Sequence, residues 1–284
     1  MNAGSGSLEA LRREIDTIDD QMHDLLMQRV EIVRRIGALK GPSDAVIYRP
    51  EREAQLLRRL VGRHHGTLPV TDVARVWREV LTASTRLQGD FSLGVFRSDA
   101  DLSVWQIALS HFGGDTPAIA YNSPSQVINA VTRGEASIGL LPMPQQDDKA
   151  PWWPTLLGED VPRVVSRLPF IVTRTEAAHD GRGAMVIARN EALPSGADRS
   201  LLVMEIGVPA SRGKVVETLA GSGIMVGQQI VQNGGDTGGS RLHLLDVEDY
   251  VTADDARLAS AGMLLDTVRV TRLGGYATPI TVAA

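Results

Sequence analysis

The chain contains no cysteine, which excludes disulfide bonds, thiolate nucleophiles and cysteine-based metal sites. Its six histidines lack the spacing of a metal site, so we expect no metal. No apolar run approaches the ~20 residues of a membrane span. The opening MNAGSGS also lacks the apolar core of a signal peptide. We therefore predict a cytoplasmic protein that does not enter a membrane.

Excess positive charge is absent as well, because the net charge is −5 at pH 7. This disfavours a general nucleic-acid surface, and cations at any site must be placed locally. With 43% hydrophobic and 22% charged residues, the composition is that of an ordinary globular protein. Its 284 residues are enough for two or more domains.

The longest uninterrupted pattern covers residues 8–40, which contain no proline and one glycine. Apolar residues recur there at spacings of three and four, which predicts one long amphipathic helix. We call the following residues the apolar face of this helix: Leu8, Leu11, Ile15, Ile18, Met22, Leu25, Ile32, Ile36 and Leu39. Between Leu25 and Ile32 the series calls for an apolar residue, but the chain has Arg29. A cation is costly to bury alone, so Arg29 is a candidate anion ligand.

The predicted helix is about 50 Å long at ~1.5 Å per residue, too long for short helices of one small domain to cover. We therefore expect a homodimer in which a second copy covers the apolar face. Lys40 follows Arg29 by eleven residues, about three turns, so both cations lie on one face. Arg12 lies about 100° round the helix, and in an antiparallel dimer the partner's Arg12 would complete the pocket. Taken alone, Arg12 and Lys40 also fit solvated charges on the helix flank.

Two shorter helices are predicted next, over residues 50–64 and 70–87. The first opens with proline in its first turn and acids beside it, which is typical of a helix start. In the second, Ser84 and Gln88 are four residues apart and face the same way. The three helices predict a small all-α domain that ends near Gly89.

Residues 8–88 resemble an AroQ-type chorismate mutase, the helical class that forms intertwined dimers. The resemblance rests on one arginine in LEALRREID, another in LMQRVEIV, the lysine in IGALK, the Arg-Glu pair in YRPERE, and the serine and glutamine in TASTRLQ. These positions are Arg12, Arg29, Lys40, Arg52, Glu53, Ser84 and Gln88. The resemblance implies one pericyclic step from chorismate to prephenate, in the shikimate pathway of aromatic amino-acid biosynthesis, with no cofactor.

In such a reaction a protein holds the reactive conformation and stabilises charge on the ether oxygen. The resemblance makes four residues catalytic: Arg29, Lys40, Glu53 and Gln88. It makes three substrate-binding: Arg12, Arg52 and Ser84. Arg29 and the partner's Arg12 would bind the carboxylates. Lys40 and Gln88 would donate to the ether oxygen, and Glu53 would accept from the ring hydroxyl. Because Gln88 is neutral, activity is expected to persist at neutral to mildly alkaline pH. Arg49, where some members have an acid, is interpreted as an exposed arginine.

From Phe91 onward the pattern alternates between strands and helices, which predicts an α/β region. SPSQVINAVTRGEASIGLLPMPQ resembles the first lobe of prephenate dehydratase. That family's glycine-rich loop is replaced by residues 95–98, and its Thr-Arg-Phe signature is met only by residues 168–170. About twenty residues separate Pro144 from Val164, too few for a second lobe. We therefore do not predict dehydration.

The last part, residues 201–276, resembles an ACT regulatory domain in its predicted β-α-β-β-α-β order and its closing RLGGY. ACT domains of this pathway bind phenylalanine, which implies an amino-acid effector here. The ligand motifs of that family are not recognisable around Gly207 or Gln228. The glycine-rich residues 234–239 are predicted to form a hairpin loop.

The sequence thus predicts a multidomain protein with an all-α mutase domain (1–89), a shortened dehydratase-like α/β region (90–200) and an ACT-like regulatory domain (201–284). The leading hypothesis is a dimeric chorismate mutase whose C-terminal half serves regulation or assembly. One alternative is a bifunctional chorismate mutase and prephenate dehydratase. Another is a non-catalytic sensor that binds a pathway enzyme or an amino acid.

Overall fold

The computed structural model describes residues 3–39, 48–173, 183–207, 210–233 and 240–282. Three helices come first: α1 (Ala3–Leu39), α2 (Pro50–Arg63) and α3 (Val70–Arg86). Proline at the first position of α2 suits a place where no backbone donor is needed. The predicted all-α region is confirmed, and the predicted ends of α2 and α3 are within one residue of the observed ones. In the described part of the chain, no helix combines the length and apolar character that crossing a membrane requires.

The apolar face of α1 is uncovered in the single chain. Its nine residues are between 48% and 87% exposed, and the side chains of residues 7–25 are exposed throughout. From residue 7 to the end of α1, the partly buried positions all lie in the C-terminal part, at Leu26, Arg29, Val30, Val33 and Gly37. The N-terminal two thirds of the helix therefore extend away from the rest of the chain.

The remaining elements form a sheet with helices on it. The strands are β1 (Leu93–Phe96), β2 (Ala118–Tyr121), β3 (Ile138–Pro142), β4 (Arg163–Leu168), β5 (Ile171–Thr173), β6 (Ala184–Ala188), β7 (Asp198–Ile206), β8 (Val226–Asn233), β9 (Arg241–Glu248), β10 (Thr267–Ala277) and β11 (Ile280–Val282). The helices are α4 (Ser103–Phe112), α5 (Pro124–Thr132), α6 (Arg212–Gly221) and α7 (Ala256–Leu264). Within the described ranges, nine strands form one sheet in the order β2-β1-β3-β6-β4-β10-β7-β9-β8, and β5 pairs separately with β11.

The first half of this sheet confirms the predicted strand and helix alternation. β1 pairs in parallel with both β2 and β3, and α4 and α5 form the crossovers. Close packing of α5 on β3 requires a glycine at Gly139. A Cβ atom there would lie 2.7 Å from Val127 and 2.9 Å from Ile187. The central strands are buried on both faces, which explains their continuous apolar runs.

The second half has the predicted order β7-α6-β8-β9-α7-β10, with antiparallel pairing. β10 also pairs in parallel with β4, through Gly274 and Val164. Gly274 has a positive φ of 135°, and a Cβ atom there would lie 2.1 Å from the Val164 carbonyl oxygen. One sheet therefore runs across both C-terminal parts, and the predicted boundary between residues 200 and 201 falls inside β7. The predicted loop at 234–239 lies outside the described residues.

The helical region is fixed to the sheet through α2. Arg58 Nη1 donates to Ser195 Oγ at 2.8 Å, and its Nη2 donates to the carbonyls of Ala197 and Thr278 at 2.6 and 3.0 Å. The same guanidinium lies 5.6 Å from the ring centre of Phe170. Phe170 belongs to an apolar cluster with three buried residues of α2 and α3: Ala54, Leu57 and Ala74.

Candidate active site

Arg29 lies where the C-terminal part of α1 meets α3. Its guanidinium donates a hydrogen bond to Ser84 Oγ and lies 5.9 Å from the ring centre of Trp77. Burial lowers the pKa of Arg29, but an arginine remains a cation at neutral pH. Within the described residues no carboxylate pairs with Arg29. The side chain is thus a half-buried cation held by a hydroxyl group and an aromatic ring, which leaves its charge available to an anion.

Ser84 and Gln88 extend this cluster along α3. Ser84 Oγ also donates to the Val80 carbonyl at 2.6 Å, and Gln88 Nε2 donates to the Ser84 carbonyl at 3.1 Å. The Gln88 side chain reaches α1, because a Cβ atom on Gly37 would lie 3.7 Å from Gln88 Cγ. Three of the seven predicted residues, Arg29, Ser84 and Gln88, are therefore brought together. Lys40 lies outside the described residues.

Arg12 is on the extended part of α1, far from this cluster. It is seventeen residues before Arg29, which places it about 25 Å away along the helix axis. Its side chain is 63% exposed, and its Nη1 lies 3.4 Å from Glu9 Oε2. Within one chain Arg12 cannot reach Arg29, as the sequence predicts.

Arg49 immediately precedes α2, and Arg52 lies in its first turn. Arg52 is exposed and donates from Nη1 to Gln55 Oε1 at 2.8 Å. Arg49 was predicted to be an exposed arginine, but its side chain is only 34% exposed and lies 3.9 Å from the carboxylate of the buried Glu51. The ion pair with Glu51, the second residue of α2, explains this difference.

Glu53 faces the α/β region. Its side chain is 17% exposed, and its Oε2 lies 3.9 Å from Nε2 of His111 at the end of α4. Burial, and then the nearby Glu51 carboxylate, raise the pKa of Glu53 to about 8. At neutral pH this carboxyl is therefore mostly protonated and able to donate a hydrogen bond, whereas the resemblance implies only an acceptor.

Two residues near these groups are not part of the predicted set. Trp77 is seven residues before Ser84, so both lie on one face of α3, and this spacing is visible in the sequence. His111 gives no comparable signal, because its contact with Glu53 depends on how α4 packs against the helical region. As a whole the cluster provides a cation, a hydroxyl group and a neutral amide. Such groups can bind a carboxylate and stabilise developing negative charge.

The N-terminal region is similar to proteins of known function. Residues 11–89 match the family model described as Chorismate mutase type II. A bifunctional chorismate mutase/prephenate dehydratase of Stutzerimonas stutzeri is 28% identical over 148 residues, which cover 50% of this chain and 40% of that protein. A protein of the same description from Neisseria gonorrhoeae is 36% identical over 102 residues, covering 36% and 27%. The T-protein of Enterobacter agglomerans is 42% identical over 81 residues, covering 27% and 22%.

The chain thus spans less than half the length of each of these three curated relatives. Among solved structures, the prephenate dehydratase from Streptococcus mutans has a TM-score of 0.49 at 13% identity, covering 68% of this chain and 100% of that chain. A quorum quenching acylase, GqqA, has a TM-score of 0.48 at 16% identity, covering 67% and 96%. The family match confirms the resemblance of the N-terminal region to chorismate mutase.

Proposed function

We propose that this protein is a chorismate mutase. The observation that carries the proposal is Arg29, a half-buried cation without a carboxylate partner among the described residues, inside the region that matches the chorismate mutase model. A helix gains nothing in stability from a cation at an otherwise apolar position. An anionic substrate would pair with this guanidinium, and chorismate has two carboxylates.

The proposed reaction breaks one carbon–oxygen bond and forms one carbon–carbon bond within the same molecule. Arg29, held in place by Ser84, binds a substrate carboxylate and fixes the folded conformation in which the reacting carbons meet. Gln88 and Lys40 donate to the ether oxygen as negative charge builds there. Arg52 completes the polar surroundings, and Glu53 bonds to the ring hydroxyl.

The site is completed in our proposal by a second copy of the chain. The apolar face of α1 is about half exposed along its length, and Arg12 is too distant to reach Arg29 in the same chain. An antiparallel α1 of the partner covers this face and brings the partner's Arg12 to the carboxylate that Arg29 leaves free. The protein is therefore proposed to be a homodimer with two shared sites.

The C-terminal half is proposed to serve regulation or assembly, with a dehydratase-like part (90–200) and an ACT-like part (201–284) that takes an amino-acid effector. Two contacts favour this over the bifunctional alternative. Gln146, in the loop after β3, exchanges hydrogen bonds of 3.0 and 3.1 Å with the Val231 backbone of β8. Phe170 is buried against α2 and α3. Gln146 directly follows the stretch that resembles the first dehydratase lobe, and Phe170 belongs to residues 168–170, which stand in place of the Thr-Arg-Phe signature. Both residues are occupied in internal packing. Incubation with prephenate tests this, since robust formation of phenylpyruvate would establish the bifunctional alternative.

The mutase proposal is tested by following the loss of chorismate with wild-type protein and with Arg29→Ala. We expect turnover by the wild type and a fall in kcat/KM of about 100-fold or more in the variant. Arg35→Ala is the matched control, because Arg35 is an exposed arginine on the same helix, and its rate should be unchanged. An Arg29→Ala variant as fast as wild type would leave the mutase assignment untenable. Chorismate binding without turnover by the wild type would instead support the sensor alternative.

A further inference from the structure

His111 belongs to the α/β region but lies against the mutase helices. It is 5% exposed, at the last turn of α4, with its ring centre 4.6 Å from that of Phe112. Its Nε2 is 3.9 Å from Glu53 Oε2. The same end of α4 contacts α3, because a Cβ atom on Gly113 would lie 3.0 Å from Glu79 Oε2. We call this place, where Glu53 and His111 meet, the α2–α4 junction.

The imidazole of His111 is neutral. Burial, and then the positive charge of Arg78, lower the pKa of His111 to about 3. A neutral ring has one N–H donor and one acceptor nitrogen. Nδ1 is buried and has no hydrogen-bond partner among the described residues, and the same holds for Nε of Arg78. Buried polar atoms normally have a hydrogen-bond partner, so these two unpaired nitrogens are not explained by the packing of the junction alone.

Other charged or titratable groups also face the junction. Glu51, on the same helix as Glu53, acts on the Glu53 carboxyl, and Tyr48 lies close enough for Glu53 to affect the pKa of its hydroxyl. From α3, Arg78 acts on His111 and Glu79 lies beside the end of α4. His111 is the only one of these groups that α4 contributes in the described part of the chain. It is also the group that touches Glu53 from the α/β region.

We propose that His111 is a positioning residue for Glu53, so that the α/β region takes part in chorismate turnover; this inference rests on the proposed mutase function. The imidazole holds Oε2 of Glu53 towards α4 and leaves Oε1 for the ring hydroxyl of the substrate. At 3.9 Å the two groups are close but not hydrogen-bonded. Contacts of this kind are often long without substrate and shorten when it binds.

The test compares His111→Ala and His111→Asn with wild type, after thermal unfolding has shown that each variant is folded. We expect kcat/KM to fall by about 10-fold to 100-fold in His111→Ala, mainly through kcat. The amide of His111→Asn is polar and neutral, so this variant should recover part of the loss. His65→Ala, which removes an exposed histidine after α2, should leave kcat and KM unchanged.

A second readout does not depend on turnover. The infrared C=O stretch of the protonated Glu53 carboxyl, assigned by its loss in Glu53→Gln, reports the pH at which Glu53 ionises. In His111→Ala water enters the space of the ring, so this pH should fall. The proposal would be overturned if folded His111→Ala had the kcat and KM of wild type and Glu53 ionised at the same pH. It would also be overturned if the alanine and asparagine variants lost the same share of kcat/KM and the infrared band of Glu53 did not change.

The two proposals fail in different ways. A wild type that does not convert chorismate contradicts the mutase function itself and with it the role of His111 in turnover. A wild type that converts chorismate, with His111→Ala unaffected in both readouts, contradicts only the positioning role.

Discussion

The sheet and the first helix differ in how far their apolar side chains are exposed to solvent. In the sheet, central residues such as Leu93, Leu140 and Leu202 have no exposed surface. Along α1, every residue of the apolar face is at least 48% exposed. The sheet thus has its core within one chain, whereas α1 has an apolar face that only another surface can complete. We propose that the charged site on α1 is incomplete in the single chain for the same reason.

The largest effect is expected from placing a charge on the apolar face of α1. Ile18→Lys should separate the proposed dimer, because two lysines would be buried where the paired helices cross. We expect monomers in sedimentation experiments and a loss of chorismate turnover of about 100-fold or more. Asp20→Lys, at an exposed polar position of the same helix, is the control and should remain dimeric. A monomeric Ile18→Lys protein with full activity would contradict the proposal that a second chain completes the site.

An intermediate effect is expected from the sheet. Leu140→Ala in β3 removes a side chain with no exposed surface, and large-to-small changes at such sites cost about 2–5 kcal/mol. The free energy of unfolding should fall by that amount while the protein stays dimeric. Ile119→Ala, at a 51% exposed position of β2, should change stability by less than about 1 kcal/mol. If the Leu140→Ala protein dissociated into monomers under native conditions, the claim that the core of the sheet lies within one chain would be contradicted.

The smallest effect concerns pH and the α2–α4 junction. The pKa of Glu53 is raised from 4.5 to about 8, so between these values the folded state binds more protons and stability falls as pH rises. The pKa of His111 is lowered from 6.5 to about 3, so stability rises with pH in that window. The two slopes oppose each other from 4.5 to 6.5, and only that of Glu53 remains from 6.5 to 8.

Chemical unfolding at several pH values should therefore show a loss of stability from pH 6.5 to 8, by at most about 1.4 kcal/mol per pH unit from this group. Glu53→Gln should remove that slope. Glu135→Gln, which replaces an exposed carboxylate, should leave it unchanged. An identical slope in wild type and Glu53→Gln would show that Glu53 is ionised throughout this range.

Much of the helical region could be predicted from the sequence because its signals are local. Pro50 begins α2, Gly66 follows its end, and the spacing of apolar residues predicts α1. Helix periodicity predicts that Ser84 and Gln88 share a face of α3, and the resemblance to AroQ-type chorismate mutases implies that Arg29 lies near them. Neither predicts the junction, because the contact of Glu53 with His111 depends on how α4 docks.

The sheet shows the same division between local and long-range information. Alternating patterns predict the order from β1 to β3 and from β6 to β10, and the structure agrees with it. The strands β4, β5 and β11 are not among the predicted ones. The pairing of β10 with β4 through Gly274 and Val164 joins segments that are far apart in the chain. No local pattern encodes such a pairing, so the single continuous sheet could not be foreseen.

The central claim is that Arg29 of one chain and Arg12 of another bind the same substrate. Arg12→Ala and Arg29→Ala proteins, each inactive alone, can be unfolded together, refolded and assayed with chorismate. A mixed dimer contains one intact site and one site without either arginine, so random pairing predicts about one quarter of wild-type activity. Activity no greater than the sum of the two separate variants would contradict the claim.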